Sequence, residues 1–273
     1  MSKDVLRFFR IQRRAVVALM LVPIMGLTPQ QSNAEGINWT IAPYLWATDV
    51  GLDVTINNNP AIGASVPFSD LVDKLDGALM GHIEMSGEKY GAFADVYYVQ
   101  LTDDAVIPIG PGGPIFGDLL VDTDLTVKMY ELGGFYRMGS ADRPGSRAFD
   151  LILGVRQVDI DLNLDIVLPG PGSGTINSNA DASETDVFVG ARLIGLFSQK
   201  WHYKARADYG SGGTEGTFNA LAAVGYTFGK TGLFSIDVGY RYLSIELKKE
   251  SNGIVTETDM TMSGPLVGFV FTF

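Results

Sequence analysis

Acid–base chemistry near neutral pH needs a suitable proton acceptor, and this chain offers two histidines, His82 and His202. His82, Glu84 and Ser86 alternate, so a strand would set them on one face. Neighbours on such a face stand about 6.5–7 Å apart, too far for a nucleophile to share a proton with its base. Counting strands along the chain puts His82 on the second and His202 on the seventh of ten. That separation does not let the two converge on a metal or a catalytic triad. With no cysteine there is no thiolate metal site and no disulfide framework. Phosphate-cradling glycine loops, His-x-x-x-His helices and calcium loops are also missing. The expectation is a non-enzyme with no cofactor and no metal. A hydrolase using His82 or His202 is the weakest alternative.

The charged residues are more informative. Trp201, Tyr203, Ala205, Ala207 and Tyr209 alternate with His202, Lys204, Arg206 and Asp208. Phe234, Ile236, Val238, Tyr240 and Tyr242 alternate in the same way with Ser235, Asp237, Gly239 and Arg241. Ala220, Ala222, Val224, Tyr226 and Phe228 make a third apolar face. Period two is the strand signature, and one oily face backed by a charged one needs two different surroundings. In a closed barrel these are lipid outside and a wet interior. The expected interior charges are Glu84, Asp95, Arg156, Arg192, Lys204, Arg206, Asp208, Asp237 and Arg241. Two roles fit them: an ion-paired filling, or a charged constriction in a narrow pore. Tyr and Trp near strand ends (Trp201, Tyr203, Tyr209, Tyr226, Tyr242) suit interfacial girdles.

These elements recur along the chain. Runs of period two occupy 37–49, 77–86, 91–104, 119–138, 147–166, 185–198, 200–210, 216–228, 232–248 and 258–273. Short connections at Ser86–Gly91, Gly139–Ser146, Gln199 and Gly229–Gly232 alternate with longer ones at 50–76, 105–118, 167–184, 211–215 and 249–257. That alternation is the pattern of a transmembrane antiparallel up-and-down β-barrel, all-β, with about ten strands. Eight or twelve are possible, because Gly51–Asn57 can form a hairpin that joins the wall. Phe68, Leu71, Val72 and Leu75 have helical spacing, with Ser69 or Asp70 as the expected N-cap, so 50–76 is expected to be a lid or, second, a plug. Pro–Gly runs after Ile107 and Val167 are expected to be exposed outer loops. In 147–166 the apolar parity switches from Phe149, Leu151, Leu153 and Val155 to Val158, Ile160, Leu162 and Leu164. Either a bulge near Arg156–Val158 or an upper half standing clear of the bilayer would cause this.

Lys3, Arg7, Arg10, Arg13 and Arg14 precede the apolar run Ala15–Leu27 and the small-x-small site Ser32-Asn33-Ala34. This is the form of a signal peptide over 1–34, leaving 35–273 as the barrel domain. The whole chain carries 20 basic and 31 acidic residues. Removing five basic residues and Asp4 leaves 15 against 30, a net charge of -15. Such a surface argues against nucleic acid as a partner.

The chain ends Val267-Gly-Phe269-Val-Phe271-Thr-Phe273, three phenylalanines on one face. It resembles the outer-membrane β-barrels of Gram-negative bacteria, in which a terminal aromatic strand is the signal read by the barrel-assembly machinery. Ala42-Pro-Tyr-Leu-Trp46, Phe68-Ser-Asp-Leu71, Gly154-Val-Arg156, Val189-Gly-Ala-Arg192 and Gly239-Tyr-Arg-Tyr242 are similar to a poorly characterised proteobacterial family of such barrels. The resemblance implies an outer-membrane location, with lipid, lipopolysaccharide and the assembly machinery as partners. It implies a fold and no reaction. The expected functions are a structural barrel or a narrow charge-lined pore, and alternatively a surface binding barrel using its acidic outer loops.

Overall fold

The computed structural model describes residues 36–57, 59–107, 119–167, 175–229, 232–251 and 253–273. The expected signal peptide and the Pro–Gly runs at 108–118 and 168–174 lie outside the described residues. Twelve strands form one antiparallel sheet: β1 (Asn38–Trp46), β2 (Asp49–Ile56), β3 (Asn59–Val66), β4 (Leu75–Ser86), β5 (Tyr90–Ile107) and β6 (Leu119–Gly139), then β7 (Arg147–Val167), β8 (Thr175–Leu196), β9 (Trp201–Gly212), β10 (Gly216–Phe228), β11 (Phe234–Ser251) and β12 (Ile254–Thr272). The lower wall closes through ten of them, because β1 pairs with both β4 and β12. β1 and β2 run along β12 in a single register, Trp46 opposite Leu266 and Asp49 opposite Ser263. They are one strand line interrupted at Ala47–Thr48.

Following inward-facing partners round the wall exposes its stagger. Thr40 leads to Glu84, Phe93, Gly133, Gly154 and Phe188. From there the path continues through Gly210, Thr217, Ile245 and Met260 to Leu52, twelve residues beyond the start. A stagger of this size tilts the strands by about 40°. The alternation of short and long connections puts both termini on the short-turn rim, where Trp39 N–H donates to Phe273 O at 2.7 Å.

Strands β2 and β3 pair as a hairpin, which prolongs the wall along β12. The Gly51–Asn57 segment therefore joins the wall, as the twelve-strand alternative expects, and only the helical turn of the expected lid or plug lies outside the sheet. The helical turn exists as α1 (Phe68–Val72), but it buries none of its residues. Its N-cap is Pro67, not Ser69 or Asp70, and the Phe68 N–H is taken by Asp49 Oδ1 at 2.7 Å. Strand β8 begins at Thr175 and β11 and β12 reach Ser251 and Ile254, so much of 167–184 and 249–257 is strand rather than loop.

Strand β7 settles the parity switch. Its ladders to β6 and β8 run without a register shift, so there is no bulge near Arg156. One face continues outward throughout: Phe149, Leu151, Leu153 and Val155 below, then Gln157, Asp159 and Asp161 above. The other face carries Asp150, Ile152 and Arg156 below, then Val158 above, all buried. The environment changes and the strand does not. About ten residues per strand at a 40° tilt give an oily belt near 25 Å tall, the height of a hydrocarbon layer. The strands then continue above it with a polar exterior and an apolar interior.

The expected outward residues lie on that belt. Val189, Val224, Val238, Phe269 and Phe273 are among the large exposed apolar side chains. At the short-turn rim Trp201, Tyr226, Phe228, Phe234 and Phe271 form a chain of T-shaped and tilted contacts with centroid spacings of 5.1, 4.9, 5.5 and 5.2 Å. Phe271 thus belongs to an aromatic girdle.

Candidate functional site in the barrel interior

All nine residues expected in the interior are there, and ion pairs or hydrogen bonds join them into networks. At the centre Arg156 is fully buried and donates to Glu131 from Nε (3.0 Å) and Nη2 (2.8 Å), to Asp208 at 2.5 Å and to Thr217 at 2.9 Å. Arg206 bridges the same two carboxylates, at 2.8 Å to Glu131 and 2.7 Å to Asp208. Asn219 donates to Asp208 and accepts from Arg241. Arg241 reaches Tyr44, whose hydroxyl donates to Asp95 at 2.8 Å. Arg192 joins Glu84 to Asp150, which also takes a two-pronged contact from Arg137. Asp237 accepts from Lys204 at 2.8 Å and meets His202 at 2.9 Å. Six carboxylates (Glu84, Asp95, Glu131, Asp150, Asp208, Asp237) thereby face six permanent cations. Among the described residues no buried side-chain nitrogen or oxygen lacks a partner. Such a network avoids the penalty of an isolated buried charge.

Aromatic rings support the guanidinium groups from behind. Arg156 lies 4.9 Å from the Phe188 ring centre, Arg192 4.7 Å from Phe135, Arg206 5.0 Å from Phe93 and Arg241 5.0 Å from Trp46. Three of these rings lie flat across glycines of the next strand. A Cβ on Gly154 would come 2.5 Å from Phe188, and one on Gly133 2.5 Å from Phe93; Phe135 lies over Gly91 in the same manner. In Gly154-Val-Arg156, the glycine makes room for a ring and the arginine two positions on covers it. Gly190 and Gly239 instead meet Asp208 and Ala223 of the adjoining strands.

Above the charges sits a second, apolar tier. Trp46, Met80, Tyr97, Val99, Val127, Met129, Val158, Leu243, Ile245, Met260, Met262 and Leu266 form one buried cluster. Below it a cavity of about 100 Å³ is lined by Tyr44, His82, Asp95, Lys204, Arg206 and Asp237, among others. His82 contacts Asp95 (3.2 Å) and Glu84 (3.5 Å), and His202 contacts Asp237 and, at 3.5 Å, Thr227.

Glu131, Asp150 and Arg137 were not among the expected interior charges. Asp150 lies between the outward Phe149 and Leu151, so period two points to it. Glu131 becomes readable once Phe135 and Gly133 fix the phase of β6. The apolar tier carried a signal too, in the even-numbered Val158 and Ile160 after Arg156.

Outside the belt, Asp159 takes hydrogen bonds from Ser183 at 2.6 Å and Gln157 at 2.8 Å, which hold its carboxyl below the usual value. Glu257 is likewise lowered by hydrogen bonding and charge attraction from Lys248.

No family model matches the chain, and no curated relative does. Solved structures similar in fold include the outer membrane protease OmpT from Escherichia coli, at 9% identity over 88% of this chain and 97% of that one, TM-score 0.43. Ail, the attachment invasion locus protein of Yersinia pestis, is 10% identical over 85% and 99%, with TM-score 0.28. Neisserial surface protein A is 13% identical over 88% and 100%, with TM-score 0.29. The fold is that of a transmembrane antiparallel up-and-down β-barrel. Its closed ten-stranded lower wall and continuous oily belt define it without reference to any one of these proteins.

Proposed function

We propose that this chain is an integral outer-membrane barrel with a packed interior in place of an open channel. The observation that carries this is the stacking of two unlike seals. Charges pair off side to side below, with Arg156, Asp150 and Asp208 essentially excluded from solvent. Directly above, the buried Trp46–Met129–Ile245 cluster sets an apolar tier across the interior, where a desolvated ion is costly. A ten-stranded barrel is scarcely wider than the kind that side chains can fill. Planar-bilayer recording tests the proposal: the folded protein gives no steady conductance, whereas stable single-channel steps would overturn it.

A surface binding role is favoured by one separate observation. Above the belt the exterior presents Asp124, Asp159, Asp161, Glu257 and Asp259, with Lys128 and Lys248 as counter-charges. This surface would hold divalent cations, lipopolysaccharide bridges or a basic partner. Calcium titration of the protein and of D159N/D161N tests it, with weaker uptake expected in the variant and equal uptake contradicting it.

Hydrolysis is the reading with least support. Thr227, His202 and Asp237 are in line, but 3.5 Å is the outer limit of a hydrogen bond. His202→Ala is expected to leave no hydrolytic deficit.

A further inference from the structure

One feature of the belt is not explained by sealing the barrel. On its outer surface β5, β6 and β7 enclose a groove of about 510 Å³, lined by Tyr90, Gly134, Tyr136, Leu151 and Leu153 with Phe135 and Ile152 at its floor. It exists because Gly134 points outward between tall neighbours: Leu153 and Leu151 are 60% and 50% exposed, and Tyr90 is 69% exposed. Across the ladder Gly134 faces Ala92, so the depression extends onto β5. At the short-turn end the Tyr90 and Tyr136 rings meet at 5.3 Å, a tilted pair closing one end. Beyond them the exposed Lys89 and Arg147 stand at the foot of β5 and β7, the two strands that flank the groove.

Each part has a counterpart in one chemical class. An apolar trough of this volume matches a single acyl chain, paired tyrosines suit the ester and headgroup level, and two cations at the rim match a phosphate. We propose that this groove is a specific binding site for an anionic phospholipid of the short-turn, periplasmic leaflet. One acyl chain lies over Gly134, and the phosphate is held by Lys89 and Arg147. Shape and charge coincide here: the depression at Gly134 is bordered by the exposed Tyr90, Leu151 and Leu153, and both cations stand at its short-turn end.

The inference rests on the membrane-embedded reading, and its test separates the two. Folded protein in detergent is titrated with phosphatidylglycerol and the first bound lipid is followed by native mass spectrometry. Gly134→Leu fills the trough from outside; its Cβ would meet only the Gly91 carbonyl oxygen at 3.6 Å, an ordinary contact. That variant is expected to bind the first lipid about tenfold more weakly, the equivalent of roughly two buried methylenes. The surface pair Lys89→Ala/Arg147→Ala, which leaves the wall untouched, is expected to show a similar loss. Ala222→Leu, on the exposed face of β10, is expected to bind as wild type does. Equal first-lipid affinity in all four proteins, or a loss confined to the rim pair, overturns the groove. Wild type that folds without detergent and takes up no phospholipid overturns membrane embedding itself.

Discussion

The guanidinium of Arg156 covers the Phe188 ring at 4.9 Å, and that ring fills the space a side chain at Gly154 would need. Three strands therefore meet at one contact: β7 supplies the glycine and the arginine, β8 the ring, and β6 the Glu131 that neutralises the charge. This contact links the wall's curvature to the interior charge pairing.

Gly154→Ala is expected to lower stability by about 1–3 kcal/mol, the usual cost of overpacking. Its Cβ would meet Phe188 at 2.5 Å and the Leu132 carbonyl oxygen at 2.6 Å. Gly134→Ala, on the open outer face of the same sheet, should change stability by less than about 0.5 kcal/mol. Urea unfolding in lipid vesicles, followed by tryptophan fluorescence, compares the two.

Arg156→Met is expected to cost roughly 3–5 kcal/mol, because Glu131 and Asp208 keep their burial and lose a shared partner. Adding Glu131→Gln should restore part of that loss. A double-mutant cycle measures it, and strict additivity would show that the two residues do not act as a pair.

Trp46 joins the tiers, with its ring against the Arg241 guanidinium and its indole N–H donating to the Gly264 carbonyl at 3.2 Å. Trp46→Ala should lower stability by about 3–5 kcal/mol. It should also raise ion leakage in planar bilayers above the silent wild type, since the void opens in the apolar seal.

Asp159 provides a pH signature outside the membrane. Its carboxyl is lowered in the folded protein by Ser183 and Gln157. A depressed acid contributes stability above its unfolded value of about 3.9, and that contribution fades as pH falls through the folded value. Ser183→Ala removes one donor and should move the Asp159 titration upward, towards the ordinary value. Carbon-detected NMR titration of the carboxyl resolves the shift.

How much of this was legible in the sequence depends on the residue. Strands β9 to β12 could be phased because lipid and interior impose opposite demands on adjacent residues, as at Trp201 and His202. Arg156, Arg192 and Arg241 were readable as interior for the same reason. The ionic partners were not, because pairing Arg192 with Glu84 joins β8 to β4 across the interior and leaves no mark in local spacing. The N-cap expectation at Ser69 or Asp70 failed because Asp49, brought in by the hairpin, supplies the acceptor instead. The parity switch in β7 left two explanations open, since a bulge and a change of solvent leave the same hydrophobic pattern. Only the unbroken ladder distinguishes them.

Spin labels along the outward face of β7 report the change of surroundings behind that switch. Labels at Leu151 and Leu153 should be accessible to oxygen and shielded from a water-soluble nickel chelate, while labels at Asp159 and Asp161 show the reverse. A label at Val158 should be immobile and shielded from both. An aqueous signature at Leu153, or an acyl-chain signature at Asp159, would contradict the account.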